Sequence, residues 1–166
     1  MILGMSFQDF TVLHVVISVV AIFVGFIVVG GLFSNYGLAA WTAFFFVMTI
    51  LTNVTGFLFP IGSVTPALAV GLLSSLILIV SLTALYGYRL AGRWRLVYVA
   101  TALVALYFNV FVMIVQSFQK VTFLQPLAPL GSEPPFVIAQ AVALIAFVIL
   151  GVMAARTFQP KRRMSM

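Results

Sequence analysis

Cysteine is absent from the 166 residues, which excludes disulfides, thiol redox chemistry and Cys-ligated metal or iron–sulfur centres. Charge is nearly absent as well. Charged side chains make up 6% of the chain, against roughly 25% in a soluble domain. A water-facing surface cannot be covered at that density, so lipid is the solvent for most side chains. Acid is scarcest: Asp9 and Glu133 are the two carboxylate side chains, and His14 is the single histidine. Acid–base work needs two groups within reach of one reacting centre, and a zinc site needs three or four ligands. Nothing in the spacing of Asp9, His14 and Glu133 meets either requirement, so a membrane enzyme is the weakest functional reading. The opening residues MILGMSFQDF contain no Lys or Arg. The basic n-region of a secretory signal is missing there, and the first apolar run reads as a retained span.

What the chain has in excess is apolar length. Hydrophobic residues account for 64% of it and the mean hydropathy is +1.30. Five runs are long enough to span a bilayer: 11–33, 38–59, 66–90, 96–118 and 136–155. Unpaired backbone groups are too costly in hydrocarbon for anything but helices or closed barrels. These runs are continuously apolar rather than alternating, which argues against a barrel. The expected fold is all-α: one membrane domain over 1–166, a polytopic bundle of five transmembrane helices. The breaks are chemically marked. Ser34 to Gly37 (S-N-Y-G) reads as a tight turn, with Asn and Gly tolerating positive φ. In Pro60 to Pro66, Thr65 is placed to cap the third helix and Pro66 to occupy its first turn. Ala91 to Arg95 is a short basic turn. The long connection 119–135 carries Pro126, Pro129, Pro134 and Pro135, and is expected to run extended over one end of the bundle.

Seven of the eight basic residues fall in two patches: Arg89, Arg93 and Arg95, then Arg156, Lys161, Arg162 and Arg163. With five spans these patches share a side. The positive-inside bias then puts the N-terminus outside and the C-terminus in the cytoplasm. Trp41, Trp94, Tyr36, Tyr86 and Tyr88 fall near the cytoplasmic helix ends, as interfacial anchors do. The same bias accounts for the net charge of +6 without nucleic acid; membrane lipids are the expected partners. No internal repeat points to an inverted-repeat transporter.

Under that topology the stronger polar side chains gather in the outer half: His14 and Asp9 on the first helix, Thr52, Asn53 and Thr55 on the second, Asn109 and Gln116 on the fourth, and Gln140 on the fifth. Glu133 and Lys120 lie in the outer loop. The inner half holds Thr42, Thr49, Ser81, Thr83 and Tyr98. Spacings of three and four put Thr11, His14, Ser18, Ala21 and Gly25 on one face. The same holds for Thr42, Thr49, Asn53, Gly56 and Pro60, and for Thr101, Ala105, Asn109, Gln116 and Lys120.

Two readings of these residues stand side by side. Asn53, Asn109, Gln116 and Gln140 bond one another or backbone carbonyls and hold the helices together; or, with His14, they line a polar cavity opening outward. His14 reads as a hydrogen-bonding contact, with a proton-linked role beside Asp9 or Glu133 as the sharper option. One histidine supplies one axial ligand, so haem is not indicated. Glu133 reads as part of a helix start capped by Ser132, or as a lid that meets Lys120 or His14.

Three stretches carry a resemblance: T-N-V-T-G-F-L-F-P (52–60), L-Y-F-N-V-F-V-M-I-V-Q-S-F (106–118) and L-A-P-L-G-S-E-P-P-F (127–136). Together they resemble a group of small uncharacterised multi-span inner-membrane proteins of proteobacteria. The resemblance implies a bacterial plasma membrane and a helical bundle, and brings no activity, cofactor or catalytic residue with it. The functional expectation is a binding or accessory membrane protein. Its ligand, a lipid, quinone or similar amphiphile, is held by His14, Asn53, Asn109, Gln116, Gln140 and Glu133 between the walls Phe57, Phe59, Phe108 and Phe111. Docking on a larger membrane complex belongs to the same expectation. The alternative is a small transporter or channel, which needs an oligomer because the inner half offers few polar groups.

Overall fold

The computed structural model describes residues 1–36, 38–60 and 66–159. Gly37, the Thr65 cap and the cations Lys161, Arg162 and Arg163 lie outside them. Five helices long and apolar enough to cross a membrane follow one another: α1 (Phe7–Phe33), α2 (Ala39–Phe57), α3 (Pro66–Leu82, continued by a π turn Thr83–Gly87), α4 (Trp94–Lys120) and α5 (Pro134–Thr157). Among the described residues the sole β-type pairing is an isolated bridge from Ile2 to Met5.

The helix starts correct several sequence boundaries. α1 begins four residues earlier than the apolar run because Ser6 caps it. The Ser6 hydroxyl accepts the Asp9 amide at 3.1 Å and donates to the Asp9 carboxylate at 2.6 Å, which answers an otherwise orphaned N–H. α4 begins at Trp94, so Arg95 belongs to a helix rather than to the basic turn. α5 is preceded by Glu133, not Ser132, at the cap position, with prolines in the first turn. The 119–135 connection is not extended. α4 runs on to Lys120, and a 3-10 turn, Gln125–Leu127, brings Ala128 down to 5% exposure.

α4 is the central helix. It packs against α1, α3 and α5, while α1 also packs on α2 and α2 on α3. The contrast with α5 is large: 44% of the α4 span is buried inside the bundle, against 6% for α5. α5 is therefore a peripheral helix with most of its side chains outside the bundle core. The core is apolar and tight where α1 crosses α2 and α4. Gly25 makes that crossing, since a Cβ there would come within 2.4 Å of Leu106 Cδ1 and 2.9 Å of Phe45 Cε2. Both neighbours are fully buried and have little room to move.

Five successive helices running up and down place the starts of α1, α3 and α5 at one end of the bundle, with Asp9 and Glu133. The other end carries the starts of α2 and α4, the π turn and the end of α5, with Arg89, Arg93, Arg95 and Arg156. These are called below the acidic end and the arginine end.

Candidate functional site

Polar side chains toward the acidic end are brought together in pairs, not into one chamber. α2 is the hub. Its mean hydropathy over the span is 1.4, against 2.2 to 3.0 for the other four, and its polar groups reach three neighbours. His14 on α1 bonds through Nδ1 to the Thr55 hydroxyl at 2.7 Å. Asn53 donates through Nδ2 to Ser74 and Ser75 on α3, both at 3.2 Å. Asn109 on α4 donates to the Thr49 hydroxyl at 3.3 Å, and Thr49 donates onward to the Phe45 carbonyl. Gln140 on α5 donates to the Phe111 carbonyl of α4 at 3.2 Å. The side-chain oxygens of Gln140 and Gln116 are buried without a hydrogen-bond partner.

His14 does not meet either acid. Asp9 is occupied by Ser6, and His14 by Thr55. Glu133 folds back on its own loop, accepting the Leu130 and Ser132 amides at 2.9 Å. The Leu130 amide, helped by Ser132, holds its carboxyl below the usual carboxylate range. That geometry replaces the expected lid over His14. The expected aromatic walls also separate. Phe59 packs edge-on against His14, Phe10 and Phe7. Phe57 covers Gly71, and Phe108 and Phe111 flank Tyr107 on α4. No three His, Asp or Glu side chains converge to hold a metal ion among the described residues.

A cavity of about 340 Å³ opens instead at the arginine end, and none of the six expected binding residues lines it. Val28 and Leu32 of α1, Leu85 of the π turn, Leu90 and Phe158 form its apolar wall; Thr42, Tyr86 and Tyr98 bring hydroxyls to it, and Asn35, Tyr36 and Ala39 complete the rim. Tyr98 lies beside Thr42 and Tyr86. Three local features build the space. The π turn widens α3 where it presents Leu85 and Tyr86, a distortion that often marks functional positions. Beyond it the backbone turns through Arg89 (φ 48°) and Leu90 (φ 60°), a left-handed pair that L-residues adopt at a cost of roughly 1 kcal/mol each. The Leu90 amide is tied to the Ala84 carbonyl at 3.1 Å.

The third feature is the chain after α5. Arg95 Nη1 donates to the Ala155 carbonyl at 3.1 Å and to the Phe158 carbonyl. A guanidinium on α4 thus satisfies the orphaned carbonyls at the end of α5. Asn35 Oδ1 accepts the Gln159 amide at 2.9 Å. Phe158 is held between these two ties, 5% exposed and 6.1 Å from the Tyr98 ring. A second, shallower hollow of about 290 Å³ lies between α4 and α5, lined by apolar side chains and the Tyr107 ring.

Sequence reasoning pointed away from this cavity because its signal was polarity. Tyr36 and Tyr86 read equally well as interfacial anchors, Arg95 as a topology signal, and Phe158 lies three residues beyond the expected span. The usable clue was Thr42 and Tyr98 at matching depth on α2 and α4. Comparison with family models, curated proteins and solved structures gives no match to this chain.

Proposed function

We propose that this is a non-catalytic multi-pass membrane protein that binds a lipophilic small molecule in the cavity at the arginine end. The observation that carries this reading is the cavity itself: apolar walls with four hydroxyl-bearing side chains, in a protein whose other strong polar groups are largely engaged with one another. Small-molecule sites have that make-up, and about 300 Å³ is their usual lower size. The polar pairs toward the acidic end then act as links between helices. The positive-inside bias favours a cytoplasmic position for this end, and the resemblance noted above supports a bacterial inner membrane, with lipids as neighbours.

Ala39 offers the test. It sits at the rim of the cavity in the first turn of α2 and is exposed, so Ala39→Trp fills the space without disturbing the core. Native mass spectrometry of protein released from lipid nanodiscs is expected to show a retained small mass on wild type and none on Ala39→Trp, with equal thermal stability. Equal retention on both proteins would remove the cavity as the site.

A further inference from the structure

Charge at the arginine end has no side-chain counterpart. The two acids of the chain are Asp9 and Glu133, and both belong to the opposite end. Glu133 occupies the cap position at the start of the 24-residue α5 and Arg156 lies in its last turn, which separates them by roughly 35 Å at about 1.5 Å per residue. That exceeds several Debye lengths, about 8 Å each at physiological salt. Of the four described arginines here, Arg95 is spent on the carbonyls of α5. Arg89, Arg93 and Arg156 are exposed. Arg89 stands between the lining residues Tyr86 and Leu90 in the chain, and Arg156 is two residues from Phe158. The lining itself holds no arginine, but Leu90 and Phe158 in it lie within two residues of Arg89 and Arg156 along the chain, at an end of the bundle where no side-chain carboxylate neutralises the exposed arginines.

We infer that the occupant is an anionic amphiphile, with a single alkyl chain in the cavity and a carboxylate or phosphate headgroup at the rim, Arg89 foremost. The inference rests on the cavity being a lipophile site and adds the class of ligand. Size decides for one chain: about 340 Å³ is near the bottom of the range of small-molecule sites, too small for a two-chain lipid. Charge decides for an anion. A guanidinium pairs with carboxylate or phosphate through charge-assisted, often bidentate hydrogen bonds. The hydroxyls of Tyr86 and Tyr98 supply further donors at the junction of head and chain.

The test compares three probes with one tail, dodecanoate, dodecyl phosphate and dodecanol, on the full chain in phosphatidylcholine nanodiscs, with empty nanodiscs subtracting partition into lipid. The expected result is saturable binding of an anionic probe and about tenfold weaker binding of dodecanol. Arg89→Gln should weaken the anions about tenfold and leave dodecanol unchanged; Arg156→Gln repeats the comparison should Arg89→Gln fail to fold. Ala39→Trp should abolish all three. Preference for dodecanoate assigns a fatty acid, and preference for dodecyl phosphate assigns a phosphate-bearing amphiphile. Dodecanol binding as tightly as both anions would overturn the anionic assignment while leaving the lipophile cavity standing. Binding by none of the probes, or binding untouched by Ala39→Trp, would overturn the cavity reading and this inference with it.

Discussion

At the scale of single residues, the two buried asparagines behave as links. Asn53 and Asn109 each pass an amide hydrogen to a hydroxyl on a neighbouring helix. Thr49 then passes its own proton back to its helix. Such bonds between membrane helices contribute of order 0.5–1 kcal/mol. Asn109→Leu should therefore lower thermal stability by about 1 kcal/mol and leave ligand retention at the arginine end unchanged. Adding Thr49→Val should cost little more, because the two residues share one bond and their losses do not add. Melting curves in detergent for the four-member cycle check this; loss of ligand retention in Asn109→Leu at intact stability would return the function to the acidic end. The residue types were legible in the sequence, and so were their faces, because helical spacing fixes which side chains can meet. Their pairing was not. Four polar residues at one depth fit a chamber or a set of separate bonds, and the side-chain distances alone distinguish the two.

At the scale of elements, the least buried helix is held at its end by a residue that the sequence presents as a topology signal. α5 has 6% of its span buried within the bundle, so its position depends on end contacts more than that of α4 does. Arg95 provides one of these, and a hydrogen bond to a charged donor is worth about 1.5–3 kcal/mol. Arg95→Leu should free the end of α5, with amide hydrogen exchange rising at 154–159 and little change in the central part of α4. Unaltered exchange at 154–159 would show that the Asn35 tie and helix packing suffice. The helices themselves were legible from apolar length, and the five spans agree with the sequence to within a few residues at most ends. The π turn was not legible: T-A-L-Y-G is compatible with an ordinary helix, and the widened turn, closed by the bond from Tyr88 to Thr83, runs directly into the left-handed pair Arg89 and Leu90. The 119–135 loop was misjudged because its prolines admit a 3-10 turn as readily as an extended strand; Pro126 sits in that turn.

At the scale of the whole molecule, the account joins a charge asymmetry to a cavity. Both acids lie at one end and all described arginines at the other, and the cavity is at the arginine end. The proposed orientation has its own check, made simple by the absence of native cysteine. Single replacements Ser132→Cys and Ala91→Cys occupy exposed loop positions at opposite ends. A membrane-impermeant thiol reagent applied to intact cells should label Ser132→Cys and should reach Ala91→Cys only after permeabilisation; the reverse pattern would invert the orientation. Where the ligand sits is the central claim. Its most direct test is photolabelling with a diazirine-bearing alkyl carboxylate in nanodiscs, with peptide mapping of the adducts that excess unlabelled dodecanoate displaces. The account predicts displaceable adducts on Tyr36, Tyr86, Tyr98 or Phe158 at the arginine end. Displaceable adducts confined to His14, Asn53, Asn109 and Gln140, or to the exposed side of α5, would contradict it.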